Sequence, residues 1–298
     1  GALVGWRQAY GNTHSKVAVC LYGLAFVNRL LGDVDSAERQ LLESSTISKA
    51  VYAPDHPDLA QSLASLGEHY RSLGRHEDAL PYYEQALTIL HKKEPDSLVT
   101  AALEGSLGAN LAALGRHAEA ERILRACIRK EEAKLGANNP RLGTTLTELG
   151  ICIASQNRLA EAEEYLLRAL KLVEIMPDQG GPLQARALSN LAHLRTEQGR
   201  FEEAAQLEKR VAEIRERTYG AGHPDVALSY AVLSELAVLR GQPDEARQHL
   251  ARGLRSDTKT SPRTAETLLA SHVQMELGDL KAVEALNDQL LANAREVG

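Results

Sequence analysis

Between residues 57 and 90, apolar side chains fall three or four positions apart at Leu59, Leu63, Leu66 and Tyr70, with polar residues between them. That spacing is the 3.6-residue period of a helix with one apolar face. Pro57 suits the first helical position, because its φ is already helical and its missing N–H would have no partner there. Gly74 suits a left-handed stop. A second stripe of Ala79, Leu80, Tyr83, Ala86, Leu87 and Leu90 predicts another amphipathic helix from about His76. The unit is a helical hairpin.

The hairpin recurs. A turn followed by a helix start appears at Gly32-Asp33, Gly74-Arg75, Gly115-Arg116, Asn157-Arg158, Gly199-Arg200, Gly241-Gln242 and Gly278-Asp279, with gaps of 42, 41, 42, 42, 42 and 37 residues. A fixed period of this size marks a solenoid, whose units are too small to bury their own apolar faces and must stack on one another. Seven residues before the turns stand Ala25, Gly67, Gly108, Gly150, Ala192, Ser234 and Ser271. Five after them stand Ala37, Ala79, Ala120, Ala162, Ala204, Ala246 and Val283. A mid-helix glycine costs about 1 kcal/mol relative to alanine. Its recurrence points to helix backbones packed too closely for a larger side chain.

The period divides the chain into a tail of a preceding repeat (1–14), six units (15–56, 57–97, 98–139, 140–181, 182–223 and 224–261) and a divergent terminal unit (262–298). The tail follows from the gapless alignment of Tyr10–Ala18 on Tyr219–Ala227, so the array is expected to extend upstream. The last unit, with its shortened period and mixed charges, reads as a cap.

Composition narrows the function. Apolar residues make up 44%, charged residues 25% and aromatic residues only 4% of the chain, a balance that favours close-packed helices over a sheet core. A formal net charge of −6 gives no electrostatic footprint for nucleic acid, and no apolar run is long enough to span a membrane. Cys20, Cys127 and Cys152 lie in three different repeats without paired spacing, which argues against a disulfide framework and fits a reducing, cytoplasmic setting. The ten histidines form no i, i+4 pair and have no cysteine at zinc spacing. His76 and His117 stand at a packing position, and His56 and His223 belong to a helix-entry corner. Cys127 replaces Ala86 and Ala169, so it reads as a small buried hydrophobe. Arg122, Arg125 and Arg129 share a helix face, but Glu121, Glu131 and Glu132 interleave with them, which describes a solvated surface. No Gly-rich loop cradles a phosphate, and no nucleophile stands in a motif with a base. The expectation is a non-catalytic chain without metal or cofactor.

Small residue, turn glycine and alanine five on, inside a helical hairpin, resemble the tetratricopeptide repeat. The unit exceeds that family's usual 34 residues by about eight. The additional residues include His56-Pro57-Asp58-Leu59-Ala60 and His223-Pro224-Asp225-Val226-Ala227. This longer unit is similar to the kinesin light chain and nephrocystin-3 type. The resemblance implies an all-α solenoid, a right-handed superhelix whose first helices line a concave groove for a peptide or partner segment. Such arrays often carry paired asparagines in the first helix. Here Asn190 alone stands at those positions.

By the family's geometry, groove-facing positions lie thirteen, ten, six, three and two residues before each turn. They select Gln61, Ala64, Glu68, Arg71 and Ser72 in the second repeat, Ala102, Gly105, Ala109, Ala112 and Ala113 in the third, and Thr144, Thr147, Ile151, Ala154 and Ser155 in the fourth. Arg186, Ser189 and His193, with Asn190, follow in the fifth. The middle of this surface is uncharged and mildly apolar. Either an apolar partner segment lies there, or the floor faces packing and binds nothing specific. Two functions are open at this point: an adaptor that binds another protein or peptide, or a regulatory arm acting on further domains of the same chain, such as a kinase, NTPase or protease.

Overall fold

The computed structural model describes residues 2–30, 33–175 and 181–256; the terminal unit expected at 262–298 lies outside them. Among the described residues the fold is all-α, with thirteen helices and no strand. The chain divides into two compact units, residues 1–156 and 157–298.

The first unit holds α1 (Ala2–Tyr10), α2 (Ser15–Leu30), α3 (Val34–Val51), α4 (Pro57–Ser72), α5 (His76–Lys93), α6 (Leu98–Ala113), α7 (His117–Leu135) and α8 (Leu142–Ala154). Within it α2 pairs with α3, α4 with α5 and α6 with α7, and each second helix also packs on the next first helix. The second unit holds α9 (Leu159–Val173), α10 (Gly181–Glu197), α11 (Phe201–Tyr219), α12 (Pro224–Leu239) and α13 (Pro243–Ser256), each packed on the next. The fold is a solenoid of helical hairpins, as the period requires.

The turns close as their sequence demands. Gly74, Gly115, Gly199 and Gly241 have φ between 70° and 75°, and Asn157 replaces glycine at φ 61°. That left-handed conformation is open to glycine and, among other residues, most readily to asparagine or aspartate. The residue after the turn is an arginine in four hairpins. It pairs three positions on, with Asp78, Glu119, Glu161 or Glu203. These pairs are exposed and contribute little individually.

Within each unit the core lies between the two helices of the hairpins. Leu59, Leu63, Leu66 and Tyr70 are buried, as are Ala79, Tyr83, Ala86, Leu87 and Leu90, while Leu80 is half-buried. The six alanines five after the turn are at most 1% exposed. Opposite the small residue of the first helix stands a large one, nine after the turn. A Cβ added to Gly67 would lie 2.9 Å from the Tyr83 ring, and one added to Gly108 would lie 2.8 Å from Leu124 Cγ. Cys127 is buried as expected. Its thiol also donates to the Ala101 carbonyl at 2.9 Å, the role that Ser44 plays toward Ala18 at 2.8 Å.

Three corners share one construction. Tyr52 stacks on His56 with ring centroids 4.4 Å apart, Tyr219 on His223 at 4.5 Å, and Tyr10 meets His14 at 4.5 Å with the rings tilted. In each, histidine Nδ1 accepts from the backbone N–H two residues on, at 3.1 Å. For α4 and α12 that bond is the N-cap. These histidines are helix-entry devices.

Two expectations follow. Gly67→Ala should lower stability by up to about 2 kcal/mol, because overpacking typically costs about 1–3 kcal/mol against a helix-propensity gain of about 1. Gly23→Ala, in α2 with nothing within 4 Å of the added Cβ, should raise it by about 0.5–1 kcal/mol. Urea denaturation of both variants checks the opposed signs. His223→Ala should remove a cap worth about 1 kcal/mol, and His223→Asn should retain most of it. Equal melting of the two variants would remove the capping role.

Candidate functional site

Side chains of α2, α4 and α6 surround a cavity of about 790 Å³ in the first unit, with contributions from Leu41 on α3, Leu90 and Glu94 at the end of α5, and Arg141 before α8. Each of the three helices turns one stripe to its paired second helix and leaves another outside the core. The stripe left outside is unusually apolar. Tyr22 is 43% exposed, Phe26 48% and Val99 55%, and Ala64 and Ala102 present no bulk between them. Small side chains allow a ligand's backbone to approach, and the larger ones supply apolar area that water covers poorly.

The charges of the cavity are balanced. Arg71 Nε and Nη2 donate to Glu68 Oε2 at 3.1 and 2.8 Å. Burial pushes the Glu68 carboxyl up, but the Arg71 charge and the Ser106 hydroxyl outweigh it and hold the group below its ordinary value. The Tyr83 hydroxyl lies buried beside this pair, and desolvation raises its pKa. Arg29 stacks its guanidinium over Phe26 at 5.5 Å, and neither Arg29 nor Arg141 has an ion pair among the described residues. Asp58 and Glu94 carry the compensating negative charge.

Of the residues selected from sequence, Gln61, Ala64, Glu68 and Ala102 line the cavity, and Arg71 holds Glu68. Ala109, Ala112 and Ile151 are half-buried and Thr144 is exposed, all outside the lining. Two expectations need correction. Gly105 is buried, with an added Cβ 3.6 Å from Cys127 Sγ, and Thr147 is buried with its hydroxyl donating to the Gly143 carbonyl at 2.7 Å. Neither offers a side chain to a ligand: Gly105 has none and lies beside Cys127 and Thr145, and the Thr147 hydroxyl serves its own helix. In the second unit, Arg186 and Ser189 are half-buried and His193 is exposed on α10. Asn190 Nδ2 donates to the Arg186 carbonyl at 2.8 Å, so its amide already serves its own helix.

The residues not selected are the most apolar ones. Tyr22, Phe26 and Arg29 stand ten, six and three before the first turn, so the same offsets extended to the first repeat select them. Val99, sixteen before its turn, lies beyond those offsets; its signal is an apolar residue next to the helix start that the core stripe does not use. Among the described residues no group of three His, Cys, Asp or Glu could hold a metal ion, and no helix is long and apolar enough to cross a membrane.

Comparison with known proteins places this architecture. The tetratricopeptide repeat model matches residues 16–92, 99–175 and 183–259. No curated protein matches the sequence. Among solved structures, BtubC (BKLC) from P. vanneervenii is similar at 16% identity and a TM-score of 0.59, over 77% of this chain and 93% of that one. The nearly identical TPR-like repeats of a Podosopora anserina candidate kinesin light chain align at 22% identity and a TM-score of 0.55, over 68% of this chain and 97% of theirs. NprR in complex with its cognate peptide NprX aligns at 13% identity and a TM-score of 0.64, over 89% of this chain and 74% of that one. At such identities these likenesses concern the fold. The three matched stretches cover well over half of the sequence and coincide with the hairpins described above, and the chain therefore belongs to the tetratricopeptide repeat family.

Proposed function

We propose that this chain is a non-catalytic protein-interaction scaffold that binds an apolar segment of a partner protein in the cavity of α2, α4 and α6. The observation that carries this reading is the exposure of Tyr22, Phe26 and Val99 around one concave space floored by Ala64 and Ala102. Large apolar side chains gathered in a concavity, with polar groups at its edge to fix orientation, make the default binding site of a fold. Covering a side chain such as Phe26 contributes roughly 1.5–3 kcal/mol when burial is complete. The balance of Arg29 and Arg141 against Asp58 and Glu94 favours an occupant of low net charge, since an excess of either sign would leave some of these groups unmatched. A solved relative of the same fold, NprR, is described in complex with a peptide, which supports a peptide as the occupant.

The test begins with peptides selected on the immobilised chain from a random display library. Selected sequences should be rich in apolar residues. Ala102→Arg places a bulky charge on the cavity floor, where a bound segment would desolvate it. Affinity for the selected peptides should fall at least tenfold, equivalent to about 1.4 kcal/mol, without a change in helicity. Phe26→Ser should weaken binding in the same direction, and Arg122→Ala, an exposed position on α7, should leave it unchanged. Peptides that bind both cavity variants with parental affinity would move the site elsewhere.

A further inference from the structure

Nine residues after the turn, five hairpins carry a buried apolar residue: Leu41, Tyr83, Leu124, Leu166 and Leu250. The hairpin of α10 and α11 carries Glu208 there, 1% exposed. Among the described residues, neither carboxylate oxygen finds a hydrogen-bond partner. Sixteen after the turn, where Leu90 and Val173 stand in other hairpins, is Arg215, two turns further along the same face of α11.

Arg215 is a poor counterion as placed. Its Nη1 stands 4.0 Å from Glu208 Oε1 and donates instead to α12, to Ser229 Oγ at 2.7 Å and to the Asp225 carbonyl at 3.1 Å. From α10 the Ser189 hydroxyl faces the carboxyl, and from α12 the Ser229 hydroxyl; neither closes a bond of ordinary geometry. Among the described residues, the charge that acts on Glu208 is that of Arg215. An ionised carboxylate here would be a buried charge with one distant cation, a state that costs several kcal/mol in a protein interior. The neutral acid carries no such penalty and gains a proton with which to bond a serine.

We propose that Glu208 is a proton-operated latch on the packing of α10, α11 and α12: the protonated side chain keeps the three helices closed, and its ionisation loosens them. Burial pushes the carboxyl up to about 7 despite the opposing Arg215 charge. The sign follows from the raised value. In the unfolded chain the group ionises near its ordinary 4.5, while the folded chain retains the proton until about 7. Stability is therefore fully present below the lower value, falls as pH rises between the two, and is level above the upper one.

Hydrogen exchange followed by mass spectrometry on the full chain reads this directly. After correction for intrinsic exchange, amides of α11 and α12 should lose at least tenfold protection between about pH 5 and about pH 8, a span that covers most of the fall. Amides of α4 and α5 serve as the internal reference. In Glu208→Gln and in Glu208→Leu, which restores the residue of four other hairpins, the loss should shrink to within about twofold. His249 on α13 also titrates, with a pKa lowered by burial, but its contribution persists in both variants and cancels in the comparison. Equal protection of the parent at the two pH values, or an undiminished loss in either folded variant, would overturn the proposal.

Discussion

The α4–α5 and α6–α7 hairpins depend on one contact, in which a glycine of the first helix receives a large residue of the second. Gly67 under Tyr83 and Gly108 under Leu124 bring helix backbones close enough that even a methyl group would collide. The buried alanine five after the turn keeps the start of the second helix equally near. Rigid hairpins follow, and rigid hairpins set where successive first helices stand. The cavity among α2, α4 and α6 inherits its shape from that spacing. Its exposed aromatic residues could not be held apart from one another by a looser scaffold.

Polar groups enter the core under two different regimes. Ser44, Cys127 and Ser234 each donate to a carbonyl of a neighbouring helix, so their burial is compensated. Arg195 reaches from α10 to Glu163 on α9 with both terminal nitrogens at 2.5 Å, and hydrogen bonding to Arg195 holds that carboxyl below its ordinary value. Glu131 and Glu208 are compensated less. Both are buried, Glu131 has one oxygen and Glu208 two without a partner among the described residues, and burial raises the pKa of both. Substituting a carboxyl for a core leucine leaves the solenoid geometry intact and makes its packing sensitive to protons.

The fold was legible because its determinants recur. Turn glycines, helix-entry prolines and small residues at fixed offsets are local signals, and repetition separates them from chance. The site was legible only in part. Gln61, Ala64, Glu68 and Ala102 followed from the offsets, but Gly105 and Thr147 share those offsets and are buried, since the neighbouring helices decide whether such a position meets solvent or core. Tyr22 and Phe26 answer to the same offsets in the first repeat. What marks them is exposure of large apolar area, a property of packing that spacing alone does not contain. Glu208 was hidden for a related reason. A glutamate on an amphipathic helix ordinarily faces water, and only alignment with Leu41, Leu124 and Leu166 reveals that its position is a core one.

A double-mutant cycle on Gly67 and Tyr83 tests the governing contact most directly, with stability measured by urea denaturation. Tyr83→Ala alone should cost about 3–5 kcal/mol, as large-to-small changes of buried aromatic residues do. With the ring gone, Gly67→Ala meets open space, and its effect should reverse from destabilising to stabilising by up to about 1 kcal/mol. A cost for Gly67→Ala that is the same with and without the Tyr83 ring would contradict the account, because the close approach would then not be what the glycine serves.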